Sequence, residues 1–359
     1  MNASTWRELV SGRRRGFAAA LLRGLLWMGQ LPYWLATDWR NRRYDRGAAV
    51  QRVDVPVISV GNLTVGGTGK TPLVEWLARW FCAHDIRVTL ISRGYGAKAG
   101  AANDEALELA QKLPDVPHLQ NPDRVAAART AIQQQRSQLI LLDDAFQHRR
   151  IARDLDIVLL DALHPFGFGH LLPRGALRES LTGLARADIV ALSRSDMVDA
   201  ARREAIRNKV RQYAPRAIWL EMAHRPRRLL SAAGETTPLD TLAGRSVAGF
   251  AGIGNPAGFQ HTLAECGYRV QAFRELPDHH VYDRRSIETL ARWTDSLDGI
   301  EAAITTHKDL VKINAERLGR HSLWALTVEL EILAGHEELE AKLRPLAKRA
   351  LQSPRTHGG

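Results

Sequence analysis

The chain has 359 residues, enough to bury a substantial core and to form two domains of ordinary size. With 45% hydrophobic and 25% charged residues it has the make-up of a globular protein rather than a disordered one. Its net charge of +11 points to an anionic partner: nucleic acid, acidic lipid or a phosphorylated substrate. Cys82 and Cys266 lie in apolar contexts without metal-ligand spacing, which argues against structural zinc and fits buried thiols in a reducing compartment.

Positive charge is concentrated near the N-terminus. Arg13-Arg14-Arg15 precedes Gly16 to Trp39, rich in Ala, Leu and Trp, and Arg40, Arg42, Arg43 and Arg46 follow. The apolar stretch is nearly long enough to span a bilayer, but Arg23 inside it would cost roughly 2.5–3.5 kcal/mol at a bilayer centre, and Gln30 and Pro32 weaken it further. No small-residue cleavage site marks a secretory signal. Trp27, Trp34 and Trp39 with their flanking arginines suit the headgroup boundary, so a helix lying on an anionic membrane surface is expected. The alternative is an amphipathic helix packed on the protein's own core.

Val57-Ile58-Ser59-Val60 reads as a buried strand, followed by a glycine-rich loop ending Gly69-Lys70-Thr71 and then by a helical pattern of Leu73, Leu77, Trp80 and Phe81. That order is the context of a phosphate-binding P-loop. Gly66, Gly67 and Gly69 allow backbone N–H groups to turn inward around phosphate oxygens. Lys70 would then reach the β- and γ-phosphates and Thr71 would ligate Mg²⁺. The strict pattern G-x-x-x-x-G-K-[ST] is broken only at Thr64, where its first glycine would stand.

Strand and helix patterns then alternate. Arg87 to Ser92 reads as a strand, Glu105 to Leu113 as a helix, and another helix follows Asn121-Pro122-Asp123-Arg124. Leu139 to Leu142, Ile157 to Leu160 and Ile189 to Leu192 are further strands. Apolar strands alternating with helices predict a mostly parallel sheet covered on both faces, with ligands at the strands' carboxyl ends. There stand Asp143 and Asp144, carboxylates that in P-loop chemistry hold Mg²⁺ directly or through water. Asp161 ends a strand of the same shape and is the competing candidate.

Several ordered blocks resemble the tetraacyldisaccharide 4′-kinase family. They are the loop Ser59 to Pro72, Ser92-Arg93-Gly94-Tyr95-Gly96, Asp143-Asp144-Ala145-Phe146-Gln147-His148, Arg153 to Ile157, Leu171 to Glu179, Phe250 to Pro256 and Pro277-Asp278-His279-His280. The resemblance implies a P-loop NTPase-like α/β fold with a smaller C-terminal α/β lobe. It implies a kinase that uses ATP and Mg²⁺ to phosphorylate the 4′-hydroxyl of a tetraacyldisaccharide 1-phosphate, a lipid A precursor, at the cytoplasmic face of the inner membrane of Gram-negative bacteria. Carried over position by position, Thr64, Val65, Gly66, Gly67, Thr68, Gly69, Lys70 and Thr71 would bind nucleotide, and Thr71, Asp143, Asp144 and Glu179 would surround the metal. Tyr95, Arg124, Gln147 and Arg178 would contact substrate or phosphate. Asp104 would be the catalytic base, oriented by His279; His280 is the alternative partner, and Asp104 is also a reasonable helix cap. The chain departs from the family pattern at Ala145, Arg174, Ala176 and His307, none of them a phosphate or metal ligand.

The expected organisation is an N-terminal membrane-associated segment (1–46), a P-loop core (47–225), a smaller lobe (226–332) and a C-terminal helix with a frayed tail (333–359), with a cleft closing over ATP and sugar. The partners expected are the anionic acylated disaccharide and a membrane surface, with no nucleic acid and no protein partner. A membrane-associated GTPase is the rival reading, since Ser193-Arg194-Ser195-Asp196 loosely matches [NT]-K-x-D. A nucleic-acid binder would need a recognition-helix pattern that the chain lacks.

Overall fold

The computed structural model describes residues 3–47, 50–94, 104–277 and 280–352. The chain opens with α1 (Ala3–Val10) and α2 (Phe17–Asp45). It continues with β1 (Val57–Asn62), α3 (Lys70–Cys82), β2 (Val88–Ser92), α4 (Asp104–Lys112), β3 (His118–Gln120), α5 (Arg124–Gln135), β4 (Leu139–Asp143), β5 (Leu155–Asp161), β6 (Ile189–Ser193) and α6 (Ala200–Tyr213). Then come β7 (Ile218–Leu230), β8 (Thr236–Pro238), β9 (Ser246–Ala251), α7 (Pro256–Glu265), β10 (Arg269–Glu275), α8 (Arg284–Asp295), β11 (Ala302–Thr306), α9 (His307–Ile313), β12 (Arg317–Leu318), β13 (His321–Ala334) and α10 (His336–Gln352).

Two compact units emerge. The first gathers Met1–Gly94, Asp115–Ala223 and Ile332–Gly359; the second gathers Tyr95–Pro114 and His224–Glu331. The chain leaves the first unit along β7 and returns to it along β13. Residues 95–114, which the sequence reading placed in the P-loop core, group with the second unit because α4 packs against α9 there.

In the first unit the strands run in the order β7-β6-β5-β1-β4-β2-β3, with neighbouring strands parallel. Val60 of β1 is in register with Asp143 of β4. The P-loop and the paired carboxylates therefore leave the sheet side by side, as the rule for strand ends in such sheets requires. Strand alternation divides the apolar residues between two clusters: Ile140 and Leu142 of β4 pack with Val125 and Ala128 of α5, and Val158 and Leu160 of β5 pack with Ile206 and Val210 of α6. Each of the Val, Ile and Leu side chains contributes roughly 1.5–3 kcal/mol through burial. In the second unit β10, β9, β11 and β13 run parallel, with β12 antiparallel to β13 and β8 antiparallel to β7. It has its own core around Phe259, Leu263 and Ile304.

Among the described residues no helix is long and apolar enough to cross a membrane. α2 shows why. A stripe four residues apart faces the body of the first unit: a β-carbon on Gly29 would lie 3.3 Å from Pro173, the Tyr33 hydroxyl donates to the Arg178 carbonyl at 2.8 Å, Thr37 is buried, and Asn41 Nδ2 donates to Glu179 Oε2 at 3.0 Å. Phe17, Leu21, Leu25, Trp27, Leu31 and Trp39 face outward and are at least half exposed. The helix is therefore packed on the protein along one face and apolar on the other. Neither cysteine is buried as expected: Cys82 ends α3 and is exposed, and Cys266 is half-buried.

Candidate active site

The P-loop joins β1 to α3. Gly66 has φ 112° and Gly69 φ 82°, conformations that side chains rarely allow. Thr64 does not need that freedom. It pairs in extended form with Leu177, while the Val65 amide donates to the Ala176 carbonyl at 2.8 Å and the Arg178 amide to the Leu63 carbonyl at 2.7 Å. A threonine in place of the first glycine is thus absorbed by a short pairing with residues 176–178. From inside, the fully buried Asn62 donates to the Thr64 carbonyl at 2.8 Å and to Thr68 Oγ1 at 3.1 Å, bracing the loop.

Three charged residues expected from the sequence meet at the mouth of this loop. β4 ends at Asp143, which is 2% exposed, and the chain turns through Asp144 at φ 49°, a left-handed position that aspartate tolerates. The Asp144 carboxylate accepts from Arg178 Nη1 at 2.7 and 2.9 Å and lies 3.5 Å from Lys70 Nζ. Burial opposes its ionisation, yet Lys70 and Arg178 hold its pKa below the ordinary carboxylate value. Arg124, at the start of α5, is 3% exposed; burial and the neighbouring Arg93 lower its pKa, while Asp144 and Asp143 favour its charge. Its Nε has no hydrogen-bond partner among the described residues. Such a guanidinium is a ready phosphate contact, since a buried cation is costly until an anion meets it.

Gln147 and Glu179 are also brought together. Gln147 Nε2 donates to the Asn62 carbonyl and to Glu179 Oε1, both at 2.9 Å. The other oxygen of the fully buried Glu179 accepts from Asn41 at 3.0 Å and from Arg186 at 2.9 Å. Here Glu179 positions Gln147 and neutralises Arg186, which lies 4.3 Å over the Phe146 ring. Asp161, the competing carboxylate, is paired in two-pronged fashion with Arg194 at 2.5 and 3.0 Å. Arg194 also donates to the Gly67 carbonyl at 3.0 Å. The Ser193-Arg194 stretch thus braces the P-loop, a job its sequence did not announce.

In the second unit, Asp104 opens α4. Tyr95 and His279 lie outside the described residues. His280 is described: its Nε2 is 2.7 Å from Ser286 Oγ, and its ring meets Tyr282 edge-on at 4.9 Å. It lines a cavity of about 310 Å³ with Arg274, Leu276 and Thr289. His307 approaches Glu108 of α4 at 3.9 Å.

Of the four metal ligands expected, Thr71, Asp143 and Asp144 offer hard oxygens for Mg²⁺, whereas both carboxylate oxygens of Glu179 are engaged by Gln147, Asn41 and Arg186, which argues against its place in the metal sphere. Among the described residues no cluster of three or more His, Cys, Asp or Glu could hold a metal ion alone. Mg²⁺ is usually bound by one or two carboxylates together with substrate phosphates.

Asn62, Arg186 and Asn41 were not singled out from the sequence, and Arg194 was read only as part of a loose [NT]-K-x-D match. Asn62 carried a local signal, standing at the strand end before the loop; the others reach the site only through folding.

A family model for tetraacyldisaccharide-1-P 4′-kinase matches residues 22–348. The tetraacyldisaccharide 4′-kinase of Anaeromyxobacter sp. (strain K) is 40% identical over 363 residues, covering 96% of this chain and 94% of that protein. That of Geobacter sulfurreducens is 36% identical over 346 residues, covering 91% and 95%. A crystal structure of LpxK from Aquifex aeolicus in complex with ATP superposes with a TM-score of 0.72 at 30% identity, covering 90% of this chain and 99% of that one. The pairing of a P-loop lysine with an arginine-clamped aspartate thus sits in a chain similar to these kinases over nearly its whole length, and the chain belongs to the tetraacyldisaccharide 4′-kinase family.

Proposed function

We propose that this protein transfers the γ-phosphoryl group of ATP to the 4′-hydroxyl of a tetraacyldisaccharide 1-phosphate at a membrane surface. The observation that carries this reading is the convergence of Lys70 and Arg178 on Asp144 at the end of β4, one strand from the P-loop. Lys70 and the loop amides would bind the β- and γ-phosphates, and Arg178 and Arg124 would hold phosphate oxygens. Thr71, Asp143 and Asp144 would hold Mg²⁺, which when bound neutralises charge on the phosphate oxygens. Gln147, fixed by Glu179, would present its amide beside them.

Asp104 would accept the proton of the sugar hydroxyl, with His279 orienting it and Tyr95 contacting the substrate, as the family likeness suggests. A lipid with several acyl chains stays in the bilayer, each buried CH₂ being worth about 0.8 kcal/mol. The outward apolar face of α2, flanked by arginines, suits an enzyme that works on that surface. Docking from the cytoplasmic side would follow from the source of ATP.

The test is incubation of the purified full chain with ATP, Mg²⁺ and a tetraacylated disaccharide 1-phosphate in detergent. A product one phosphate heavier is expected, with GTP a poor donor. Lipid-independent hydrolysis of GTP with no lipid product would instead favour the nucleotide-switch reading.

A further inference from the structure

The segment from Ala145 to His148 follows β4 and is neither helix nor strand. It comes directly after Asp144 and carries Gln147, so its path decides where both of those side chains stand. Ala145 and Phe146 are fully buried. Buried carbonyls outside a helix or sheet need partners from elsewhere, because an unpaired one costs about as much as a lost hydrogen bond.

One guanidinium meets that need. Arg153 Nη2 donates to the Ala145 carbonyl at 2.6 Å and also to the His148 carbonyl, and Nη1 donates to the Phe146 carbonyl at 3.4 Å. The same Nη1 donates to Asp156 Oδ2 at 2.7 Å. Both side chains of this ion pair are buried, 9% and 6% exposed. Burial pushes the Asp156 carboxyl up, and the Arg153 charge opposes that push. Asp156 lies in β5 in register with Ser59 of β1, so the guanidinium is anchored to the sheet that carries the P-loop. The segment also lies hard against β1. A β-carbon on Gly61 would lie 2.6 Å from both the amide nitrogen and the β-carbon of Phe146, a close approach of backbones that glycine permits. A planar fork with five donors can serve four acceptors at once, whereas an ammonium on a flexible stem cannot hold that geometry.

We propose that Arg153, with Asp156 as its counter-charge, is a positioning residue of the phosphoryl-transfer site: it fixes the backbone of residues 145–148 and thereby the placement of Asp144 and Gln147 beside the P-loop. This inference rests on the kinase reading above. Lys70 and the loop amides belong to the β1–α3 connection and not to this segment. Loosening the segment should therefore spare the hold on the nucleotide phosphates and weaken the side of the site that would bind Mg²⁺.

The test uses the full-length chain with Arg153→Lys, Asp156→Asn, Gln147→Ala and the double variant Arg153→Lys with Gln147→Ala. Arg153→Lys keeps a cation beside Asp156, which Arg153→Ala would leave buried and unpaired. Asp156→Asn keeps the shape of the acceptor and decides the matter should Arg153→Lys not fold. Measured quantities are steady-state kinetics, the Mg²⁺ concentration for half-maximal rate, ATP affinity in Mg²⁺ and in EDTA, and thermal unfolding. For Arg153→Lys we expect kcat to fall about ten- to a hundredfold, the cost of a small misplacement in a site of this kind. More Mg²⁺ should be needed, while ATP affinity in EDTA and KM for the lipid should stay near wild type. Asp156→Asn should show the same pattern with a smaller loss, and the double variant should lose little beyond the larger single loss. Wild-type kcat for Arg153→Lys and Asp156→Asn would overturn the proposal. So would equal losses of ATP affinity in Mg²⁺ and in EDTA with a lowered unfolding temperature, which mark a purely structural role. Additive losses with Gln147→Ala at an unchanged Mg²⁺ requirement would overturn it as well. Should the wild type bind ATP yet leave the lipid unphosphorylated, the kinase reading fails alone, and the Mg²⁺-dependent part of ATP binding still decides the role of Arg153.

Discussion

Asn41 of α2 donates a hydrogen bond to Glu179, the buried carboxylate that orients Gln147 beside the P-loop. One helix therefore presents Trp27 and Trp39 outward and, along its other face, completes the wall of the candidate site. The proposed membrane contact and the candidate phosphate site share one helix.

Replacing Asn41 with Ala should leave Glu179 held by Arg186 and Gln147 alone and loosen Gln147. Hydrogen bonds to charged groups are worth about 1.5–3 kcal/mol, so kcat should fall roughly tenfold or more, with ATP affinity unchanged. Asn41→Asp sets a like charge against Glu179 and should be worse than Ala. Equal, wild-type kcat values for both variants would remove Asn41 from the site's support.

Deleting residues 1–39 would also destroy the Tyr33 bond to the Arg178 backbone, so truncation confounds docking with site geometry. Substituting Trp27, Leu31 and Trp39 with Ser together is cleaner, since they are 60%, 59% and 67% exposed. We expect weaker flotation on anionic liposomes and a rise in KM for the lipid greater than that for ATP. Undiminished flotation would count against the outer face as the membrane contact.

Lys70→Ala should abolish turnover and leave the fold intact, since Lys70 touches Asp144 and packs no core cluster. Its loss also strips Asp144 of one of its two cations, so the carboxyl should titrate higher. Retention of more than about a tenth of wild-type kcat would contradict the P-loop role, given the several kcal/mol such ligands supply. Thermal unfolding within a few degrees of wild type would show that the loss is catalytic.

The P-loop, strands β1, β2, β4, β5 and β6 and the two carboxylates at the end of β4 were legible in the sequence because their signals are local: apolar runs, glycines and a charge at a strand end; the three-residue β3 (His118–Gln120) was too short and too polar to register. Asn41, Arg186 and Arg194 were not. They reach Glu179 and the Gly67 carbonyl from 138, 7 and 127 positions away, and even the near one depends on a turn that no periodicity marks. The tryptophan and leucine pattern of α2 suggested a membrane surface, but the inward stripe Gly29-Tyr33-Thr37-Asn41 is mostly small or polar and does not read as a packing face. The grouping of residues 95–114 with the second unit was equally hidden, since it rests on α4 meeting α9.

Acid should destabilise the fold through His118. Burial lowers its pKa from 6.5 to about 4, and its Nδ1 is buried without a hydrogen-bond partner among the described residues, while Nε2 meets Ser92 Oγ at 2.9 Å. The folded state therefore holds fewer protons than the unfolded state between these values. Stability is full above about pH 6.5 and is lost as pH falls toward about 4, by an amount on the order of 3 kcal/mol. His148, lowered to about 4 by burial and by Arg124, Arg153 and Arg150, adds in the same direction. His118→Gln should flatten part of the fall in unfolding midpoint between pH 7 and 5; an unchanged slope would exclude His118 as a source.

Asp104 and His279 should act as one catalytic unit. Residues 95–114 and 224–331 group in the same compact unit. A positioned base is worth roughly 10²–10⁴ in rate, and each of Asp104→Ala and His279→Ala should lower kcat by that order. The double variant should lose little more, because groups that work as a unit are strongly non-additive. ATP affinity should stay near wild type, since the phosphates are assigned to Lys70, Arg124 and Arg178. His280→Ala is the control: its ring already engages Ser286, so its loss should cost less than that of His279. Additive losses at saturating lipid would give Asp104 and His279 separate roles, Asp104 as a determinant of the start of α4 and His279 as a substrate contact. A larger loss for His280→Ala than for His279→Ala would transfer the partnership to His280.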